Sequence, residues 1–402
     1  MTRCTSQLET PRHDARACRS SGVNVTGILK LAYKLLINDR SKFTALLIGI
    51  TFAVFLMMFV TSMLVGVLNH ASATVINIGA SLWVMDPAVQ TVSNTVGMPD
   101  YVLDAVRSMS GVRYAVPLYS GGGLVKLPDG TFQSVNVIGL DDNSLLGRPE
   151  LVAGKIEDIY AESAFIAVDD AEFPKLQSPK VGSEFELNDN RAVIVGIAKV
   201  ASSGLYGTPT LYTTYERASQ FLPNPRYTIS YVLVEPKSPA DVRKIEKQVS
   251  ALGYRALTKD EFIKRTANYY IYQTGGGTNM LIMTTISFIV GLSISGQTFY
   301  TFILENLERF GALKAIGTKS RDLIGMILFQ ATFTAFTGYG LGVGLCSGLI
   351  WMARLRLPSY AAMLTYANLA LGFVMVSVIA AISSYVGIRR VLKIEPFEIF
   401  RG

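Results

Sequence analysis

Residues 43–68 read FTALLIGITFAVFLMMFVTSMLVGVL, 26 consecutive positions without an Asp, Glu, Lys or Arg. A helix needs about 20 predominantly apolar residues to cross the hydrocarbon core of a bilayer. Three later stretches, at 280–304, 323–353 and 367–389, are also apolar, and their single charged residue, Arg389, lies at the end of the last one. The sequence therefore predicts four transmembrane helices, called here the first to fourth spans.

The segment between the first and second spans, residues 69–279, has the composition of a soluble domain, with 19 Lys or Arg and 22 Asp or Glu. Asp129-Gly130 lies between two alternating runs, which predicts a β-hairpin, and Asp189-Asn190 divides EFEL from AVIVGIAKV in the same way. AFIAV and TISYVLV predict further strands, and Pro99–Met109 and Pro239–Leu252 predict helices. The predicted fold class is a membrane α-helical protein with four transmembrane helices and a large extracytoplasmic α+β domain inserted between helices 1 and 2.

Two segments of this domain resemble each other, YVLDAVRSMSGVRYA near its start and DVRKIEKQVSALGYRA near its end. Each predicts a helix that is followed directly by a strand. The similarity predicts that both ends of the domain fold together, with the strands of 121–225 inserted between them.

The remaining segments follow from these assignments. The pattern before the first span places leucine and isoleucine on one helical face, which is typical of an interfacial helix or of the first turns of a longer one. In chain order we expect a disordered cytosolic tail (1–25), an interfacial amphipathic helix (26–42), the first span (43–68), the α+β domain (69–279), the second span (280–304), a cytosolic loop (305–322), the third span (323–353), a short outer loop (354–366), the fourth span (367–389) and a cytosolic tail (390–402).

The positive charges indicate the orientation of the spans. The segment before the first span holds eight Lys or Arg, and residues 305–322 and 389–402 hold four each, whereas the outer loop holds two. Lys and Arg accumulate on the cytoplasmic side of membrane proteins. We therefore expect a multi-pass protein of the inner (plasma) membrane with both termini in the cytoplasm. On this topology the net charge of +7 is a membrane signal, and no nucleic-acid partner is expected.

The residues that most enzyme sites require are scarce. The chain has two histidines, His13 and His70, and three cysteines, and it lacks a G-x-S-x-G motif or zinc-type Cys/His spacing. Gly311 and Gly317 approach a phosphate-binding loop, but they stand six residues apart, and Thr318 rather than Lys follows the second glycine. We expect no catalytic residue, no metal site and no cofactor on this chain, so any ATP hydrolysis must come from another subunit.

Three groups of glycines have local interpretations. Gly121-Gly122-Gly123 predicts a bulge or turn, and Gly275-Gly276-Gly277 predicts a flexible joint before the second span. Gly340, Gly344 and Gly348 form two G-x-x-x-G steps in the third span, which permit close helix packing. The sequence leaves open whether that packing occurs within one chain or between two.

The loop ENLERFGALKAIGTKSR at 305–321 is longer than a turn requires and predicts a short amphipathic helix. Leu307, Phe310, Leu313, Lys314 and Ile316 fall at helical spacing. Gly317 is expected at the C′ position in the left-handed conformation, and Ser320 is expected to cap the third span. A helix of this kind is suited to a groove on a cytosolic partner.

The run ENLERFGALKAIGTKSRDLIGMILFQ resembles the loop between the second and third spans of MacB/FtsX-type permeases of ABC transporters. The order of one span, a large external domain and three spans is also similar, as are AVIVGIAKVASSGLYGTPTLYTTYERASQFL and the ending RRVLKIEPFEIFRG. FTALLIGITFAVFLMMF, ASLWVMD and VNVIGLDD resemble the DevC-like branch most closely.

This resemblance implies a permease subunit of an ATP-driven exporter that transmits ATPase motion to the external domain, a mechanism called mechanotransmission. It implies a cytosolic ABC ATPase that carries the ATP and Mg, a second permease chain in a homodimer, a periplasmic adaptor, an outer-membrane channel and contact with membrane lipid. The expected ATPase-docking coupling helix comprises Glu305, Glu308, Arg309, Phe310, Gly311, Leu313, Lys314, Ala315, Ile316 and Gly317. Pro396 and Arg401 are expected to contact the ATPase from the tail.

Two functional alternatives share this fold. A LolC/LolE-like permease would release lipid-anchored proteins, and an FtsX-like regulator would act on a cell-wall hydrolase, although the external domain of the latter is typically smaller. The transported substrate is open, because the near-neutral external domain favours neither a charged ligand nor a lipid.

Overall fold

The computed structural model describes residues 25–38, 40–202, 208–221, 229–357 and 360–392. The chain divides into two compact units. Unit 1 contains the described parts of Met1–Ile48, Ile294–Thr337 and Ser377–Gly402, and unit 2 contains those of Gly49–Ser293 and Gly338–Val376. The division falls within the four long helices, so each long helix contributes one part to each unit.

Eleven α-helices and ten strands are formed by the described residues. The helices are α1 (Val25–Asn38), α2 (Arg40–Ala71), α3 (Ala73–Ile78), α4 (Tyr101–Arg107), α5 (Tyr215–Phe221), α6 (Val242–Ala251), α7 (Lys259–Asn268), α8 (Gly275–Glu305), α9 (Leu307–Ala315), α10 (Ser320–Arg356) and α11 (Tyr366–Leu392). The strands are β1 (Leu82–Met85), β2 (Val112–Lys126), β3 (Phe132–Leu140), β4 (Glu150–Gly154), β5 (Ala164–Val168), β6 (Glu184–Leu187), β7 (Asn190–Lys199), β8 (Thr210–Thr214), β9 (Tyr231–Pro236) and β10 (Arg255–Thr258). A π-helical turn, Tyr269–Gln273, follows α7.

Four of these helices are long and apolar enough to cross a membrane: Phe43–Ala71, Gly275–Glu305, Ser320–Arg356 and Tyr366–Arg389. The four predicted spans are therefore present, and the helices run past the predicted bounds because polar residues at their ends continue the backbone hydrogen bonding. The segment predicted as an interfacial helix contains α1, which ends at Asn38 before α2 begins.

The strand β2 joins two sheets. Its first half pairs with β9, in the order β10-β1-β9-β2, and its second half pairs with β3, which leads on to β8, β5, β7 and β4. Gly121, Gly122 and Gly123 lie in this second half, opposite Val137, Asn136 and Val135. The predicted bulge or turn is therefore wrong. Glycine favours a turn locally, but here the antiparallel ladder with β3 fixes an extended backbone.

The predicted hairpins are confirmed, since β2 pairs with β3 across Asp129-Gly130 and β6 pairs with β7 across Asp189-Asn190. The two ends of the domain also fold together as predicted. Valines of α4 and α6 pack with β1, β9 and β10 in one buried cluster. The strands between them form the second sheet, with its own core.

The opposite face of the first sheet packs against α7, a helix that the sequence analysis did not predict. Trp83 of β1 lies edge-on to Tyr231 of β9 and to Phe262 of α7, with ring centroids 5.3 and 5.6 Å apart. All three side chains are fully buried. This aromatic cluster fixes α7 beneath the sheet, close to the start of α8.

Candidate functional site

The loop between the second and third spans contains the predicted short helix as α9, which lies in unit 1. Asn306 joins it to α8: its side-chain amide donates to the Phe302 carbonyl at 2.8 Å and its Oδ1 accepts from Arg309 at 2.9 Å. Asn306 is itself buried. The direction in which α9 leaves the second span is therefore fixed by hydrogen bonds.

The end of α9 is equally defined. Gly317 has φ = +99°, and its N–H donates to the Lys314 carbonyl while Thr318 N–H donates to the Leu313 carbonyl, both at 3.1 Å. These two bonds form a Schellman motif, so the prediction of Gly317 at C′ is confirmed. The expected cap is shifted, because Ser320 is already the first helical residue of α10 and the Lys319 carbonyl accepts the first bonds.

The two faces of α9 differ. Phe310 (1 % exposed) and Gly311 are buried within the chain, and Leu313 and Lys314 are half-buried. Ile316 is 84 % exposed, and the side chains beside it, Glu308, Arg309, Ala312 and Ala315, are exposed as well. The ten residues expected to dock therefore separate. Phe310 and Gly311 are covered by the chain itself and position the helix, whereas Glu308, Arg309, Ala315 and Ile316 are accessible. Ala312, which is not among the ten, is also exposed.

The glycines of α10, within unit 2, also fall into two groups, one packed against another helix and one without a neighbouring atom among the described residues. A Cβ on Gly338 would lie 2.6 Å from Ile50 Cγ2, and one on Gly342 would lie 2.7 Å from Val54 Cβ, so these two glycines pack against α2. At Gly340, Gly344 and Gly348 no atom of the described residues lies within 4 Å of an added Cβ. The intrachain contact therefore uses the glycines two positions away from the predicted stripe.

The end of the first span is tied to the external domain by amide groups. Asn77, on α3, donates to the Ser202 carbonyl at 2.8 Å and accepts from Ser202 N–H at 2.9 Å. Asn69, in the last turn of α2, donates to Ser202 Oγ at 2.7 Å. We call these three residues the amide clasp. It joins α2 and α3 to the segment that follows β7.

The start of the second span is joined to the domain differently. A Cβ on Gly277 would overlap the Tyr270 carbonyl and Ile271, so the first turn of α8 lies directly on the π-helical turn. Thr278 Oγ1 donates to the Ile271 carbonyl at 3.2 Å. The prediction of a flexible joint at Gly275–Gly277 is therefore wrong, because these glycines are helical and Gly277 is packed.

The outer loop before α11 is fastened to the first span. Met363 N–H donates to the Ser62 carbonyl at 2.9 Å, and Arg354 donates to the Ala362 carbonyl at 2.7 Å. A Cβ on Gly66 would overlap the Ala361 carbonyl. Two backbone contacts thus join α2 to the segment before α11, and the Arg354 guanidinium joins α10 to the same segment.

Two further points concern predicted site residues. Pro396 and Arg401 lie outside the described residues. Over the described ranges, no group of three His, Cys, Asp or Glu is placed to hold a metal ion.

Comparison with known proteins gives two family matches. Residues 44–252 match the MacB-like periplasmic core domain, and residues 281–396 match the FtsX-like permease C-terminal region. Together the matches cover the first span, most of the external domain and the last three spans.

Individual relatives are similar at low identity. An uncharacterized ABC transporter permease of Mycobacterium tuberculosis is 26 % identical over 353 residues, which is 85 % of this chain and 91 % of that protein. The macrolide export ATP-binding/permease protein MacB of Agrobacterium fabrum is 23 % identical over 281 residues, and the match spans 66 % of this chain but 43 % of that protein. The solved periplasmic region of MacB from Actinobacillus actinomycetemcomitans matches 48 % of this chain and 94 % of its own, with 13 % identity and a TM-score of 0.37.

Proposed function

The chain belongs to the ABC transporter permeases with a MacB-like periplasmic core domain and an FtsX-like C-terminal region, and we propose that it transmits the motion of a separate ABC ATPase to its external domain. ABC permeases of this kind lie in the inner membrane and work with an ATPase subunit. The observation that carries the proposal is α9, a short capped helix with one exposed apolar side chain between two long apolar helices.

The docking surface that we propose is the exposed face of α9. Ile316 is a large apolar side chain in water, and Ala312 and Ala315 beside it leave room for a partner to approach the backbone. Glu308 and Arg309 supply charges at the rim. An apolar centre with a polar rim is the usual anatomy of an interface, and an amphipathic helix suits a groove on a partner. The Schellman motif and Asn306 hold this face rigidly, so a push on it moves the ends of α8 and α10.

The second element of the proposal is the pair of helices that leads to the domain. By the rise of 1.5 Å per residue, α2 and α8 are about 48 and 46 Å long. Each is a continuous helix that reaches the external domain. There α2 is bound by the amide clasp, and α8 is bound by the Gly277 contact. Between residues 43 and 68, and between 280 and 304, there is no Asp, Glu, Lys or Arg, so these spans offer no ionisable path for a carrier mechanism.

We also propose that a second permease chain, in a homodimer, covers one face of α8. In the most apolar window of α8, 17 % of the residues are buried, against 44 % in α2. Ser293 and Gln297 are exposed one turn apart near the middle of this helix. Polar side chains at that depth are favoured where they bond to another helix. With Cys4 and Cys18 replaced by Ser, Ser293→Cys should form a disulfide-linked dimer, and a failure at Ser293 with efficient linkage at Gly344→Cys would move the interface to the open glycines of α10.

The orientation is part of the proposal, with both termini and α9 in the cytoplasm. In intact spheroplasts a membrane-impermeant maleimide should label Val152→Cys on the external domain and not Lys319→Cys before α10. The reverse labelling would contradict the topology. We also propose that the chain belongs to the DevC-like branch and works with a periplasmic adaptor and an outer-membrane channel. Co-purification of an adaptor after cross-linking tests the partnership with the adaptor.

The decisive experiment targets Ile316. The wild-type chain should co-purify with an ABC ATPase and stimulate its hydrolysis of ATP. Ile316→Asp places a charge in the apolar centre of the docking face, so it should lower the stimulation at least tenfold. Val152→Asp is the matched control, because Val152 is a similarly exposed apolar residue (58 %) on β4 of the external domain. Equal stimulation by wild type and Ile316→Asp, or absence of any ATPase in the wild-type preparation, would refute the proposal.

A further inference from the structure

A groove of about 320 Å³ runs along the exposed side of α7 and its π-helical turn. It is lined by Glu261, Lys264, Arg265, Asn268 and Tyr269, with Gln90 from the loop after β1 on the other side. These residues recur every three or four positions, so they form one face of the helix. The docking surface of α9 and the amide clasp do not use this groove, which we call the α7 groove.

Both ends of α7 are held near the ends of spans. At the start of α7, Lys259 Nζ donates to the Ile76 carbonyl at 3.4 Å. Ile76 lies five residues after Ala71, the last residue of α2, and a turn at Ser72 separates α2 from α3. At the far end, Gln273 also lines the groove and stands two residues before α8 begins. The polar headgroup layer is about 5–8 Å deep on each side of the hydrocarbon core. The α7 groove therefore lies close in the chain to the ends of two apolar helices, where lipid headgroups are expected.

The charges in the groove have a defined arrangement. Arg265 is fixed, because its Nε donates to the Val89 carbonyl at 2.9 Å and its Nη2 donates to the Pro87 carbonyl at 3.3 Å. Its Nη1 makes no hydrogen bond to any described residue, and neither Arg265 nor Lys264 forms an ion pair with a described residue. Burial, and after it the neighbouring Arg255, lower the pKa of Arg265.

A carboxylate stands one turn away from these cations. Glu261 accepts from Thr258 N–H at 2.9 Å in the capping box of α7, and this bond holds its pKa below the usual range. The groove lining thus offers two cationic groups and a carboxylate, together with the amides of Asn268 and Gln90. This pattern is complementary to a phosphate that is joined by a short linker to an ammonium group.

We propose that the α7 groove binds the headgroup of a phospholipid that carries a phosphate and a primary ammonium, the phosphatidylethanolamine class. Lys264 and Arg265 bind the phosphate, as charge-assisted hydrogen bonds to phosphate are among the stronger polar contacts. Glu261 accepts a hydrogen bond from the primary ammonium. A quaternary choline has no N–H and cannot donate this bond. The inference requires neither the ATPase nor a particular orientation of the chain, so it stands or falls separately from the proposed function.

The test uses the full chain in detergent and native mass spectrometry with equal amounts of phosphatidylethanolamine, phosphatidylglycerol and phosphatidylcholine. Wild type should retain phosphatidylethanolamine at least fivefold over phosphatidylcholine. Lys264→Gln should lower retention of phosphatidylethanolamine and phosphatidylglycerol about tenfold, the effect of a lost charge-assisted contact of about 1.4 kcal/mol. Lys244→Gln, which removes an exposed lysine from α6, is the control and should change nothing.

Glu261→Gln separates the ammonium contact from helix stability, because glutamine also serves in a capping box. This variant should lose the preference for phosphatidylethanolamine over phosphatidylglycerol while its melting temperature stays close to that of wild type. A second arm adds inorganic phosphate. Displacement of the lipid by millimolar phosphate would indicate a site for the free ion and overturn the proposal. Equal retention of the three lipids, or no effect of Lys264→Gln, would also overturn it.

Discussion

The first and second spans enter the same external domain through junctions of different chemistry. The first junction is the amide clasp, in which Asn69 and Asn77 hold Ser202 through side-chain hydrogen bonds. The second is a backbone contact, in which Gly277 lies on Tyr270 and Ile271 with no space for a side chain. A junction made of hydrogen bonds can be weakened in steps, whereas a junction made by steric fit fails as soon as one atom is added.

The largest effect is expected from Gly277→Val, which breaks the second junction. The added side chain overlaps backbone that cannot move without displacing the π-helical turn, so the free energy of unfolding should fall by about 3 kcal/mol or more, at the upper end for single substitutions. Thermal melting of the full chain in detergent measures this.

Gly276→Ala is the matched control. Its Cβ would come no closer than 3.9 Å to Thr274 Oγ1, so it should leave the melting temperature unchanged or raise it slightly. If both variants melt alike, the second junction is not a steric one.

Asn77→Ala breaks the first junction and should cost less, about 1–3 kcal/mol, because it leaves the Ser202 N–H and carbonyl without their partner. Stimulation of the ATPase should fall by more than the loss of folding stability alone explains, because α3 then no longer holds the segment after β7. Both quantities are measured on the same preparation.

Asn188→Ala provides the comparison for that prediction. Asn188 also bridges two backbone segments, accepting from Leu124 N–H at 2.9 Å and donating to the Phe221 carbonyl at 3.0 Å, but it lies in the turn between β6 and β7 of the second sheet. It should destabilise the chain by a similar amount and leave ATPase stimulation intact. Equal loss of stimulation in the two variants would mean that stability alone explains the Asn77 result.

Ser202→Ala sharpens the comparison within the clasp. It removes the hydroxyl that accepts from Asn69 and keeps both backbone bonds to Asn77. A loss of about 1 kcal/mol is typical for a single hydrogen bond of this kind. Chemical denaturation of the full chain should detect this loss, with ATPase stimulation within twofold of wild type. A loss of stimulation as large as that of Asn77→Ala would show that the hydroxyl, and not the backbone pair, carries the coupling.

The smallest effect concerns pH. The amide clasp contains no titratable group, but the second junction follows α7, whose capping box contains Glu261. Hydrogen bonds from Thr258 lower the pKa of Glu261 below its ordinary value of 4.5. Its contribution to stability is therefore complete above pH 4.5 and is lost as the pH falls through the lowered pKa. Melting temperatures of wild type should drop slightly further than those of Glu261→Gln between pH 5 and pH 3, and parallel curves would contradict the assignment.

The sequence predicted the features that depend on local pattern. Uninterrupted apolar stretches revealed the four spans, Asp129-Gly130 marked a hairpin, and Gly317 marked the end of α9. It did not predict α7, although Thr258 and Glu261 form the T-x-x-E signature of a capping box, because the helix KDEFIKRTAN is mostly charged or polar and has only three apolar residues.

Other features depend on residues that are distant in the chain. Asn77 and Ser202 are 125 positions apart, and nothing near either residue indicates the other. Gly338 and Gly342 have the same four-residue spacing as Gly340 and Gly344, so the pattern alone could not show which pair packs against α2. The burial of Phe310 likewise depends on neighbours outside its own loop.

The contacts of the outer loop with the first span limit how the first and second spans can move relative to each other. Because Ser62 and Gly66 are bound to the segment 361–363, the outer end of the first span cannot rotate or slide independently of the third and fourth. The second span has no comparable strap among the described contacts of unit 2. If the chain transmits motion as proposed, a displacement of the second span against the other three at this end would therefore reach the external domain as a torque about its base.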